Sequence, residues 1–174
     1  MGVTKKIKRM KLHLGCGEEY KNGWVNLDMR GNVKSDINHD LEVFPYPFKD
    51  NTFNIIYGKH IIEHLADPVR VLKELVRISK RNAIITLSVS HAYAYSDVSD
   101  IQHKSHYTEN SFTDGQMKQY DLEELKCLKT EFLFRNKYKK YVPFKKYLKI
   151  YLNGIYDDLI YTFQVNKIEK EKLK

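Results

Sequence analysis

The sequence predicts an α/β protein built on a mostly parallel sheet. Three observations carry this. Short apolar segments recur along the first ninety residues, and four of them stop at a glycine or an acid. One well-signalled amphipathic helix and several loop crossovers separate the strands, as parallel pairing requires. The two closing strands have no strong helix between them, which allows an antiparallel edge.

Each element has its own signal. Residues 10–14 alternate as a short strand and stop at Gly15, Cys16 and Gly17. Residues 24–27 end at Asp28, and residues 35–39 end at Asp40 and Leu41. Residues 53–57 read as a fully buried strand ending at Gly58. Asp67 is a good N-cap, and Pro68 stands at the favoured first helical position. Val69, Leu72, Leu75, Val76 and Ser79 then share one helical face, with Lys80 and Arg81 expected in the last turn. Residues 83–89 form another buried strand, followed by a loop rich in His and Tyr to residue 107. A short helix is expected to start at Thr108. Residues 125–134 and 157–167 close the sheet, the latter alternating Leu159, Tyr161, Phe163 and Val165 against more polar neighbours.

The chain of 174 residues is expected to form one domain, 1–174, since no linker or repeat divides it. A basic, aromatic insert at about 135–156 interrupts the last pair of strands and is expected to be partly helical. Hydrophobic residues at 42% and charged residues at 30% give an ordinary globular balance. Two cysteines cannot make a disulfide framework and point to a reducing compartment. No apolar run approaches the roughly 20 residues that span a bilayer, and no signal core follows the basic N-terminus. A soluble, cytoplasmic protein is expected. The net charge of +8 favours an anionic partner such as RNA, with the basic insert as its natural contact. General enrichment in Lys, Asn, Ile and Tyr is the preferred explanation of that charge, and a lysine-fringed amphipathic element is the preferred reading of the insert.

The strand ends carry the functional signal, because ligands of such sheets bind at the carboxyl ends of the strands. Glycines 15 and 17 let backbone approach a ligand closely, or simply make a tight turn. Asp28 could accept from a ribose diol, and Asp40 from an adenine amine; each could also close an Asx-turn. Their joint order is more specific than any one of them. Residues 12–17 (LHLGCG), 23–28 (GWVNLD) and 36–41 (DINHDL), with 53–57 (FNIIY) and 60–65 (HIIEHL), resemble class I S-adenosylmethionine-dependent methyltransferases over about residues 10–112. The resemblance implies a Rossmann-like seven-stranded sheet with an antiparallel last strand and S-adenosylmethionine as cofactor. It implies that Gly15, Cys16 and Gly17 meet the methionine part, Asp28 the ribose, and Asp40 with Leu41 the adenine. His13 stands where many members carry an acid, and Glu19 where a third glycine often occurs. Segments 18–23 and 29–34 are too short for full crossovers, so the first helices are expected to be reduced or missing.

The expected activity is methyl transfer to a small-molecule or glycan acceptor. The alternative is a non-catalytic nucleotide- or RNA-binding protein that keeps the fold. The acceptor is expected between His60 and the loop 91–107, with His60 also against the cofactor. His60, His103 and His106 are the candidate catalytic side chains. Residues 60–64 also match the H-x-x-E-H zinc-protease pattern, but they follow a strand directly and lack a matching downstream ligand. Packing at the helix entry is therefore preferred for Glu63 and His64. No ligand spacing in the histidine loop compels a metal, and none is expected.

Overall fold

The structure, a computed structural model, describes residues 9–134, 141, 143–144 and 155–167. In chain order it contains β1 (Lys11–Leu14), β2 (Val25–Asp28), β3 (Ile37–Asn38), β4 (Phe53–Lys59), a 3₁₀ turn (Ile62–His64), α1 (Pro68–Ile78), β5 (Ser79–Ser90), α2 (Tyr95–Ser99), α3 (Asp114–Gln119), β6 (Leu125–Leu133) and β7 (Asp158–Val165). The strands form a seven-stranded sheet in the order β3-β2-β1-β4-β5-β7-β6. Pairing is parallel from β3 to β5. β7 runs antiparallel to both β5 and β6. This is the mostly parallel α/β sheet with an antiparallel last strand that the sequence implies. No helix described here is long and apolar enough to cross a membrane. The basic insert lies outside the described residues except at 141, 143–144 and 155–156.

No helix joins β1 to β2, β2 to β3 or β3 to β4. A strand of four residues is only about 13 Å long, so the chain can return to its start through turns alone. Asn26, fully buried on β2, pins these turns. Its side chain accepts from Lys21 N–H at 2.9 Å and donates to Lys21 O at 3.0 Å and to Asp36 at 3.0 Å. Tyr20 closes the belt by donating to Asp36 at 2.8 Å. Hydrogen bonds thus hold the segments that helical burial would otherwise hold.

The opposite face of the sheet carries the core. Leu12, Leu14, Ile56, Ile85, Leu87, Tyr161 and Phe163 pack there with Leu72, Leu75 and Ile78 of α1 and Met117 of α3. On the second face Ile55 and Tyr57 of β4 are half-buried, which corrects the expectation of a fully buried strand there; Ile84 and Thr86 of β5 are half-buried too, while Ser88 and Ser90 are buried. The reason is the missing crossover helices, which leave the second face lightly covered.

Asp67 caps α1 by accepting from Arg70 N–H at 2.9 Å, with Pro68 at the first position, as expected. The helix ends sooner than its pattern suggests. Ser79 is extended, and Lys80 and Arg81 belong to β5 rather than to the last helical turn. Pairing of Ser79 with Phe53 offers those backbone groups sheet partners instead. Thr113, not Thr108, caps α3, through a reciprocal capping box with Gln116. Thr108 instead opens a turn with Ser111.

A polar clamp fixes α1 to the segment before β4. Arg77 donates to Glu74 at 2.6 and 2.9 Å, to Phe48 O at 3.0 Å and to Asp50 at 2.5 Å. Glu74 also accepts from Tyr46 N–H at 2.6 Å. Burial pushes the Glu74 carboxyl up, but the bonds from Arg77 and Tyr46 outweigh it and hold it below the ordinary 4.5. Glu74→Gln is therefore expected to cost about 1.5–3 kcal/mol of stability at pH 7, read by urea unfolding. A depressed folded pKa stabilises above the unfolded value and is lost as pH falls through the folded one, so the difference should close below about pH 4.

Candidate functional site

The carboxyl ends of β1, β2 and β4 surround an open cleft of about 420 Å³, lined by His13, residues 15–19, Arg30, Lys59 and His60. Gly15 (φ 57°) and Gly17 (φ 53°) both take the left-handed conformation that glycine adopts without strain. A Cβ at Gly15 would also stand 2.7 Å from the Ile61 side chain. The loop therefore lies close against the β4 end with its backbone facing the cleft.

Asp28 anchors this loop from below. Its buried carboxylate accepts from Gly17 N–H at 2.7 Å, from Arg30 N–H at 2.9 Å and from Arg30 Nε at 3.2 Å. Burial opposes its charge, but the two backbone donors and the guanidinium outweigh burial and hold the carboxyl below its ordinary value. Cys16 N–H donates to Leu27 O at 2.9 Å, and its buried thiol is pushed up by desolvation and by Asp28. Cys16 thus contributes shape and backbone rather than thiolate chemistry.

His13 is buried, and desolvation together with Lys21 lowers its pKa, which keeps the ring neutral at pH 7. Glu19 reaches the cleft wall and pairs with Lys59 at 2.9 Å and Lys21 at 3.6 Å. His60 follows β4 with φ 49° and donates its own N–H to Ser88 O at 2.8 Å. Its Nδ1 lies 3.1 Å from Glu63 Oε1, and its Nε2 3.7 Å from Asp158 Oδ1.

Other expected residues stand apart. Asp40 accepts from Glu42 N–H at 2.9 Å in an Asx-turn. Leu41 is buried in the core, with its carbonyl taken by the Tyr46 hydroxyl at 3.0 Å. Neither is among the residues lining the cleft, although His39 N–H donates to Asp28 O at 3.1 Å and holds their turn beside it. His103 and His106 share one buried carboxylate, at 2.8 Å to Asp97 Oδ1 and 2.6 Å to Asp97 Oδ2. Neither lines the cleft; His106 faces a second cavity of about 270 Å³ with Tyr107, Phe112 and Met117. Arg30, Lys59 and Asp158 join the strand-end site without a sequence signal, since none falls in a recognisable motif.

Residues 27–87 match the methyltransferase domain family. The fold is that of class I S-adenosylmethionine-dependent methyltransferases. It is similar to an S-adenosylmethionine-dependent methyltransferase from Archaeoglobus fulgidus at 15% identity, covering 90% of this chain and 86% of that one, with a TM-score of 0.67. A chain from the Haloferax volcanii complex between the Trm112 methyltransferase activator and a methyltransferase aligns at 12% identity over 93% and 84%, with a TM-score of 0.65. A Mesorhizobium loti S-adenosylmethionine-dependent methyltransferase aligns at 11% over 89% and 90%, with a TM-score of 0.59.

The Archaeoglobus fulgidus and Mesorhizobium loti proteins that share this fold use S-adenosylmethionine. The cleft suits it in three respects: two glycines with room for backbone approach, a buried ionised acid at the end of β2, and polar walls. One group stands in the way. The Arg30 side chain lies over Gly17 and pairs with Asp28, leaving a Cβ at Gly17 only 2.9 Å from its Nη2. Arg30 is half exposed, so displacing it should cost under about 1 kcal/mol. Arg30→Ala is expected to bind S-adenosylhomocysteine at least as tightly as the wild type. Asp28→Ala should bind it about tenfold or more weakly, from loss of bonds to a charged group, as read by calorimetry.

Proposed function

We propose that the protein methylates a hydroxyl or amine of a small-molecule or glycan acceptor, entering between His60 and the loop 91–107. The methyl donor would be held by the backbone at Gly15 and Gly17 and by Asp28, with Asp40 and Leu41 beside its base. When bound, it supplies an electrophilic sulfonium methyl group, and correct placement of two reactants accounts for much of the rate of such a displacement.

The placement of His60 carries the reading. It stands at the lip of the donor cleft and is held between two buried carboxylates. With Nδ1–H donated to Glu63, the ring would take the acceptor's proton at Nε2, the nitrogen that faces Asp158. Glu63, behind Nδ1, would hold the ring as the acid of a catalytic triad does, and the Asp158 charge beside Nε2 would stabilise the imidazolium. The loop 91–107 borders this point because Lys104 and Ser105 N–H donate to Glu63 O at 2.8 and 3.1 Å. His106, held by Asp97 on the same loop, is a second group able to meet an acceptor.

A screen with tritiated donor over sugars, nucleotide sugars and small alcohols and amines tests this function. Once an acceptor is found, His60→Ala should lower turnover by roughly 10²–10⁴-fold while donor affinity stays within a few-fold. Asp158→Asn should lower turnover less, again without loss of donor binding. Normal turnover in His60→Ala would show that positioning alone carries the reaction. Donor binding without transfer to any acceptor class would favour the non-catalytic alternative.

A further inference from the structure

The loop after β5 folds back on the 3₁₀ turn after β4 and brings Asp100 and His103 against His64, far from them in sequence. Ligand atoms of His64, Asp100 and His103 all lie within 4.8 Å of one another. His103 Nε2 is 3.7 Å from Asp100 Oδ2. The His64 and His103 rings meet edge to face, with centroids 4.7 Å apart. Zinc bonds to nitrogen and oxygen of about 2.0–2.2 Å put tetrahedral donors roughly 3.3–3.6 Å apart, so a shift of about 1 Å would close the set.

His103 is oriented for this task. Its Nδ1 lies 2.8 Å from Asp97 Oδ1, and the Asp97 side chain has no exposed surface. With Nδ1–H donated to Asp97, Nε2 would offer its lone pair on the side of Asp100, 3.7 Å away, where a cation could bind between them. A carboxylate behind a histidine is also the usual support of a metal ligand, because it fixes the tautomer and raises basicity. Asp100 is 41% exposed, so one position would remain open to solvent.

We propose that His64, Asp100 and His103 bind a divalent transition metal, with Zn²⁺ the best match to two imidazoles and one carboxylate, and with Asp97 as the positioning residue behind His103. The metal would clasp the loop 91–107 to the 3₁₀ turn, one residue beyond Glu63. This inference stands apart from the methyltransferase reading and is tested with no donor present.

The full chain, stripped by chelator and desalted, is titrated with Zn²⁺ by calorimetry and by competition with a chromophoric chelator. One equivalent should bind and raise the melting temperature by several degrees. His64→Gln, Asp100→Asn and His103→Ala should each weaken binding at least tenfold. Asp97→Asn should weaken it about 10–100-fold although it supplies no ligand atom. His39→Ala, whose ring meets Val43 O elsewhere, should bind as the wild type does. Circular dichroism identifies any variant that fails to fold; Asp100→Asn, at an exposed side chain, keeps the test open in that case. Absence of binding below millimolar Zn²⁺ would overturn the proposal. So would affinity left unchanged by both His64→Gln and Asp100→Asn.

Discussion

Glu63 has no exposed surface and yet is charged, and three parts of the chain converge on it. His60 at the end of β4 lies 3.1 Å from its Oε1, and Ser90 N–H at the end of β5 donates to the same oxygen at 3.2 Å. Its backbone carbonyl meanwhile holds Lys104 and Ser105 of the following loop. Burial pushes the carboxyl up, but His60 and the surrounding N–H donors bring it below its ordinary value. A buried carboxylate stripped of these partners would cost several kcal/mol, so the two strand ends and the loop must assemble together. The same bonds keep His60 in a left-handed conformation that a non-glycine residue would otherwise avoid.

Asp28 plays the matching role on the other side of the cleft. Where a first crossover helix would ordinarily support the glycine loop, a buried carboxylate supports it through Gly17 N–H. Its two sets of partners differ in strength. The bond from Gly17 is short and buried, whereas the pairing with Arg30 is half exposed and worth little. The loop can therefore stay in place if Arg30 moves aside.

Losing the first three helices changes how the sheet is covered. One face packs leucines, isoleucines and aromatics against α1 and α3. The other replaces helical burial with the belt of Asn26, Asp36, Tyr20 and Lys21 and with rings such as Trp24 and Tyr57, 6.5 Å apart. The buried imidazole of His13 belongs to this second face, 3.4 Å from Asn26 Oδ1 and 5.4 Å from the Tyr57 ring. Its neutral ring fits a wall with little helical cover better than a buried acid would.

Read alone, the sequence determined the strands, their parallel sense, the cap of α1 by Asp67 and the meeting of Gly15, Gly17, Asp28 and His60 at one edge. These are local properties: periodicity, capping chemistry and the residue at which an apolar run stops. Where local signals competed, tertiary structure decided. Lys80 and Arg81 suit a helix end, but a neighbouring strand claimed their backbone, and Thr113 took the capping role for which Thr108 was equally suited. Side-chain pairing was never legible in this way. That Arg30 covers Asp28, that Asp158 reaches His60, and that His103 turns to Asp97 and His64 all follow from the strand order and from a loop folding back across it. Residues distant in the chain carry no mark of their partner, because the distance between them is set only when the sheet closes.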